Sequence, residues 1–394
     1  MMTPRRIAVL LVAGVLLIGV ALWLSSQRHL ERTVEAGQSV LPGLKSALNA
    51  VTEVRLSKGD GTRTTLKKTA TDWIVGQRDF SSDSGRVRKL LLDLSDLQVD
   101  EDKTREPANY PQIGVEDVTS PQAMGTRVDV VEPGKTLSLI VGKTSGTKSS
   151  YVRVVNTPQS FLASPQLTLD ADPRRWLDRA LIDIPEQRVK EIHVQPATGP
   201  AYTVTRTSAQ QTDFTVPELP KGRELATSAL INVAASGLAA LSLDDVRKPS
   251  AADATPKPAA DATSRPFSRP ATHGKSNPEV QQSPVAAAAP AVTPGPAHAT
   301  FHTFDGLAVD LSGRQEADRR FITLAVQSSS KDHEEEARTL NARFNGWEFE
   351  IPSYKYDSLF RPLEELLKKP PEPAAKPAAK SKGAKAPVPA AAPK

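Results

Sequence analysis

Apolar residues along this chain fall into two kinds of spacing, and both recur in the same order in two places. Val51-Thr-Glu-Val-Arg-Leu56 and Val189-Lys-Glu-Ile-His-Val194 carry apolar residues two apart around a shared Glu, Glu53 and Glu191. That is the period of a half-buried strand. Asp72-Trp-Ile-Val75 returns as Asp213-Phe-Thr-Val216, and Leu94-Ser-Asp-Leu-Gln-Val-Asp-Glu101 returns as Leu238-Ala-Ala-Leu-Ser-Leu-Asp-Asp245. Between these anchors the spacing changes to i, i+3, i+4, i+7 and i+10, in Val87, Leu90, Leu91, Leu94 and Leu97 and again in Ile231, Ala234, Ala235, Leu238 and Leu241. Each copy is therefore strands followed by one amphipathic helix.

Punctuation residues refine this reading. Gly59-Asp-Gly61 between two alternating runs predicts a hairpin over Val54–Thr65, because Gly and Asp tolerate the left-handed conformations of tight turns. Asp72–Val75 adds a third strand, and Ser82–Ser84 is placed to cap a helix over Gly85–Leu97 by accepting from its free N–H groups. A meander follows in Arg127–Val131, Thr136–Val141 and Tyr151–Val155, and Pro173–Ile184 reads as a short helix with Pro in its first turn. The second copy runs from Val189 to Val246 and resumes at Thr300 with Phe301–Leu311 and Phe321–Val326. A shorter third copy closes the chain, with Gly346-Trp-Glu-Phe-Glu-Ile351 as a strand and Tyr356, Leu359, Phe360, Leu363 and Leu366 at helix spacing, broken or restarted at Pro362.

The expected fold class is α+β: an N-terminal transmembrane helix, two tandem meander-plus-helix modules, a C-terminal half-module, and a disordered insert and tail. The boundaries are a cytoplasmic N-terminus at 1–6, an anchor at 7–24, a stalk at 25–50 and module 1 with its linker at 51–185. Module 2 takes 186–248 and 300–330, the insert 249–299, the half-module 331–369 and the tail 370–394. The insert holds 10 of the 33 prolines and the tail 7 more, and with no apolar period neither can bury a core.

Ile7–Leu24 is an unbroken apolar run behind Arg5 and Arg6, long enough to cross a bilayer as a helix. Leu22, Trp23 and Leu24 stand where signal peptidase needs small residues, which favours a retained anchor over a cleaved signal. The short basic N-terminus then stays cytoplasmic, and the bulk is periplasmic.

The net charge of +5 sits at the periphery, in the five Lys of the tail, the insert and Arg5–Arg6, and the rest is slightly acidic. This excludes a nucleic-acid surface, which needs clustered cations facing the phosphates. With no Cys, there is no thiolate chemistry and no disulfide framework.

The candidate chemical motifs all read as structure. Gly142-Lys-Thr144 resembles the end of a phosphate loop, but Leu137 stands where the first Gly should be, so a hairpin turn is expected there. Ser328-Ser-Ser-Lys331 fits S-x-x-K without its companion motifs. His193 and His302 lie in strands and His273 and His298 in the insert, with no metal-binding spacing. Asp100-Glu-Asp102 and Asp244-Asp245 lack a calcium-loop pattern and are expected to be solvated helix ends. Trp73, Phe214 and Trp347 occupy equivalent places and are expected in the core. The Lys-rich tail reads as a soluble terminus, although it could touch anionic polymers. The chain offers no catalytic, cofactor-binding or metal-ligating residue.

Trp176-Leu-Asp-Arg-Ala-Leu-Ile-Asp-Ile-Pro185 before a V-x-E-I strand, Thr303-Phe-Asp-Gly-Leu307 and Gly-Trp-Glu-Phe-Glu-Ile-Pro352 resemble bacterial proteins of domain of unknown function 4340 over about residues 50–369, the long insert and tail being departures. The resemblance implies a single N-terminal anchor in the inner membrane and, through relatives associated with gliding-motility-type ABC transporter components, an accessory role beside such a complex. The expectation is a non-enzymatic envelope accessory or scaffold protein with a membrane-protein partner; the alternatives are a periplasmic ligand-binding protein and a hydrolase.

Overall fold

The computed structural model describes residues 36–217, 219–249 and 295–368. The anchor at 7–24, residues 25–35 of the stalk, most of the insert, His273 and the tail lie outside the described residues. No helix among the described residues is long and apolar enough to cross a membrane.

The protein is α+β, built on antiparallel sheets with few helices. In chain order the strands are β1 (Glu53–Lys58), β2 (Arg63–Lys68), β3 (Trp73–Val75), β4 (Phe80–Ser81), β5 (Gln98–Asp102), β6 (Thr126–Glu132), β7 (Lys135–Ser145), β8 (Ser149–Val154) and β9 (Ser160–Ser164). There follow β10 (Ala180–Ile182), β11 (Val189–Gln195), β12 (Tyr202–Thr205), β13 (Leu241–Ser242), β14 (Asp245–Arg247), β15 (Ala297–Thr303), β16 (Leu307–Glu316), β17 (Arg319–Ser328) and β18 (Glu348–Glu350). The chain divides into two compact units, one ending at Ala180 and taking back Ser242–Lys248, the other holding Leu181–Leu241 and everything from Pro249 on.

In the first unit nine strands run β4-β3-β2-β1-β6-β7-β8-β9-β5. The hairpin forms about Gly61, whose φ of 86° suits glycine. Val54 and Leu56 lie opposite Val130 and Val128, all four fully buried, as the alternation requires. The helix Ser84–Ser95 buries Val87, Leu90, Leu91 and Leu94, the expected stripe, and its first turn is capped by the Asp83 carboxylate accepting from the Arg86 amide at 2.9 Å. The helix ends at Ser95, so Asp100–Asp102 is part of edge strand β5 paired with β9, not a solvated helix end.

Both edges of this sheet are covered by the chain itself. Gly37–Val40 exchanges backbone hydrogen bonds with Leu97 and Val99 beside β5, and Trp176–Asp178 does so with Ser81 and Asp83 beside β4. Such covers remove the unpaired edge that would recruit another strand.

On the face away from the helix, Tyr110 and Val115 pack on Ile140 of β7. Gly142 lies under this cover, where a Cβ would come within 2.3 Å of the Ile113 carbonyl. Gly142-Lys-Thr144 is thus a bulged stretch inside β7, and the expected turn falls later, at Gly146. The Pro173–Ile184 segment is a single 3-10 turn, Pro173–Trp176, followed by β10 and not a longer helix; burial of Trp176, whose indole donates to the Asp170 carbonyl at 2.7 Å, ends the turn.

In the second unit six strands run β12-β11-β15-β16-β17-β18. The walk β12-β11-β15-β16-β17 repeats β2-β1-β6-β7-β8 of the first unit. Ile192 and Val194 of β11 lie opposite Phe301 and Ala299 of β15, matching Val54 and Leu56. The helix Ser228–Ala235 buries Ile231, Ala234 and Ala235, as expected.

β15 begins at Ala297, with Ala297 and Ala299 buried, so residues 297–299 belong to a strand and not to the insert, His298 among them. Alternating small apolar residues are enough to place them. β18 joins β17, the helix Ser353–Leu359 follows, and Pro362 precedes a new turn, Leu363–Leu366, a restart as expected.

Candidate functional site

A cluster of four titratable side chains lies in the second unit, where three elements meet. Arg188 ends a 3-10 turn immediately before β11, Thr303-Phe-Asp-Gly-Leu307 turns from β15 into β16, and His333 precedes the helix Glu334–Phe344. The turn needs Gly306, whose φ is 93°. Thr303 organises it, its hydroxyl accepting from the Leu307 amide at 2.8 Å and also bonding the Asp305 carboxylate. Glu336 sits in the first helical turn, where the helix dipole favours a carboxylate.

Arg188 spans the two acids. Its Nε donates to Asp305 at 2.7 Å, and Nη1 and Nη2 each donate to Glu336 at 3.2 Å. His333 Nδ1 is 2.9 Å from Glu336, and its Nε2 is 3.6 Å from Asp305. Partial burial opposes ionisation of Asp305, but the Thr303 hydroxyl and Arg188 outweigh it and hold its pKa below the usual carboxylate value. The Arg188 hydrogen bonds, against partial burial, likewise lower that of Glu336, and the same bonds raise that of Arg188. The acids are engaged with one another's partners, so the cluster acts as a clamp joining strand, turn and helix.

Both carboxylates have lowered folded pKa values, so their contribution is fully present above the unfolded values of about 4 and is lost as pH falls through the folded ones. Melting temperature measured from pH 6 down to about pH 3 should therefore fall less steeply for Arg188→Gln than for the wild type. Parallel curves would remove the clamp's role.

The remaining motif residues are dispersed. Ser330 caps the turn Lys331–His333 and Ser328 bonds the Ser330 backbone, so this stretch is structural. His193 is exposed on β11 beside Thr203, and His298 pairs with Ser312. Asp245 is not solvated: it is buried and accepts two bonds from Arg78, at 2.6 and 2.8 Å. Asp244 pairs with Arg179.

Phe214 is buried as expected, but Trp73 and Trp347 are only half-buried. Trp73 starts a three-residue strand and lines a surface depression beside Leu91, and next to Trp347 the core positions are taken by Phe344 and Phe349, packed edge to face. Among the described residues no group of three His, Asp or Glu is placed to hold a metal ion. Sequence reasoning missed His333 and its partners; His333 and Glu336, three apart in a charged run, were the available signal.

Besides the depression at Trp73, two concave features of the first unit bear on function. A cavity of about 380 Å³ beside the helix is lined by Arg86, Lys89, Leu90, Gln166, Arg175 and Trp176, among others. A broader, shallow depression of about 640 Å³ crosses the open half of the sheet over β1, β2 and β6.

Residues 73–262 match the family model of a domain of unknown function, DUF4340. The chain thus carries this domain, and the match includes the Trp176–Pro185 motif, while the Thr303 and Trp347 motifs lie beyond it. No curated protein and no solved structure matches the chain.

Proposed function

We propose that this protein is a membrane-anchored accessory or scaffold subunit of the bacterial envelope, held by residues 7–24 with its bulk in the periplasm, contacting an ABC-type transport complex. The apolar run behind Arg5 and Arg6 supports the anchor, and the repeated strand walk supports reading the two units as copies of one module. The transport partner rests on the DUF4340 resemblance.

One observation carries the scaffold reading. The first unit's sheet edges are covered by its own chain, yet half of one sheet face stays open as a wide polar depression. Breadth without depth suits a macromolecular surface better than a small ligand, which needs enclosure. Ligand binding has one observation in its favour, the smaller cavity at Trp176, whose rim mixes Arg86, Lys89 and Arg175 with Asp93 and Asp170.

Crosslinking in native membranes, followed by pull-down of the full-length protein, tests the proposal. An ABC-type permease or its auxiliary subunit should be recovered with the anchored chain and not with a chain lacking residues 7–24. Recovery of no envelope protein in repeated trials overturns it.

A further inference from the structure

The open half of the first unit's sheet carries side chains of one parity from each strand. Glu53, Arg55 and Ser57 of β1 lie opposite Lys67, Thr65 and Arg63 of β2, and opposite Val131, Asp129 and Arg127 of β6. Its charges are unevenly matched. Arg55 bonds Glu53, and Arg127 holds Asp129 at 2.9 Å. Glu53 is opposite Lys67 in register, but its carboxylate is turned to Arg55. Among the described residues Arg63 and Lys67 are left without an ion-pair partner, and both are exposed. They stand four residues apart on one strand face, about 13 Å. Between them Thr65 is tied to Gln77, whose amide accepts from the Thr65 backbone at 2.9 Å.

We propose that this face docks an acidic polypeptide segment lying extended along β2, with carboxylates at i and i+4 meeting Arg63 and Lys67. This rests on the scaffold reading above and names the chemistry of its partner. The occupant follows from charge and spacing. An extended chain repeats the spacing of the strand beneath it, so carboxylates four residues apart match the two cations. A second copy docked face to face would bring the same surplus cations together, which is repulsive. A bilayer surface offers anionic groups without fixed spacing and would also meet Glu53 and Asp129.

The test uses the full-length chain in detergent micelles with Lys376, Lys380, Lys382 and Lys385 changed to Gln, so that the tail does not bind acids. The probe is a fluorescein-labelled Thr/Val peptide with Glu at two positions four apart, beside a version with Gln at both, read by anisotropy. The Glu peptide should bind saturably and weaken with salt. Binding should drop at least about tenfold for the Gln peptide and for the R63E/K67E double variant, and stay unchanged for Arg88→Glu on the helix. Equal binding by R63E/K67E, or no binding by the wild type, overturns the proposal. So does R63E/K67E-sensitive binding of phosphatidylglycerol vesicles without peptide binding.

The same double variant in the membrane crosslinking experiment separates the two readings. Loss of the transport partner supports the face. Its retention overturns the face while leaving the scaffold reading in place, and absence of any partner for the wild type overturns the scaffold reading while the peptide titration still decides the chemistry of the face.

Discussion

Replacing Arg206 by Leu should cost the second unit about 3 kcal/mol or more, because three backbone carbonyls lose their donor at once and each unmet buried acceptor costs about 1–3 kcal/mol. Arg206 is 3% exposed, and its guanidinium donates to Val189 O at 2.8 Å, to Gln211 O at 2.9 Å and to Glu186 O at 2.6 Å. Its Cζ lies 4.6 Å from the Phe214 ring centroid and 5.6 Å from that of Phe304. Burial pulls its pKa below the ordinary arginine value, but from a starting point so high that the group stays charged. Lys in its place keeps the charge and loses the planar fork, so it should recover only part of the stability. Urea denaturation of Arg206→Leu and Arg206→Lys checks both, and a loss below about 1 kcal/mol for Leu would mean that water replaces the guanidinium at little cost.

The first unit has a comparable device. Arg153, 4% exposed, donates to Val115 O at 2.8 Å, to Thr157 O at 3.2 Å and to Asp117 at 2.6 Å, with its guanidinium 4.7 Å from the Tyr110 ring centroid. In both units a buried cation binds loop backbone to the sheet. Neither arginine stands out in the sequence, since each lies in or just after a strand-like run where an exposed side chain would be the ordinary outcome.

The second large effect concerns Leu94 of the first helix and Leu238 of the 3-10 turn Ser236–Leu238 that follows the helix Ser228–Ala235. Leu94→Asp and Leu238→Asp should each destabilise by about 4 kcal/mol, the range for an unpaired charge forced into an apolar interior. Leu94 and Leu238 are both completely buried. Thermal melting of each variant measures this, and a midpoint equal to the wild type at either position would refute that residue's place in the core. Comparison with Leu→Ala at the same positions separates the charge penalty from the cavity, because Ala removes volume without adding a charge.

The repeated local patterns are legible in the sequence itself. Alternation over Val51–Leu56 and Val189–Val194 placed Val54, Leu56, Ile192 and Val194 inside, and the 3.6-residue spacing of Val87, Leu90, Leu91 and Leu94 marked the buried stripe of the first helix. These depend on neighbours within one or two turns, which the chain carries next to one another. Ends of elements were less legible: the helix after Asp83 stops at Ser95 and the following acids enter β5, because pairing with β9 takes over the backbone there.

What only the tertiary structure decided is which distant charges meet. Arg188 reaches Asp305 across 117 positions and Glu336 across 148, and Arg78 reaches Asp245 across 167. The sequence therefore determined the repeated strands and the buried stripe of the first helix, because that information is periodic and local, but not the turn at Pro173–Trp176 or the half-buried places of Trp73 and Trp347. Folding alone turned Asp245 from an apparently solvated acid into a buried partner, gathered His333 and Glu336 around Arg188, and left Arg63 and Lys67 on an open face without an ion-pair partner among the described residues. Pairing of side chains depends on sheet order and register, and no spacing along the chain encodes those across more than a hundred residues.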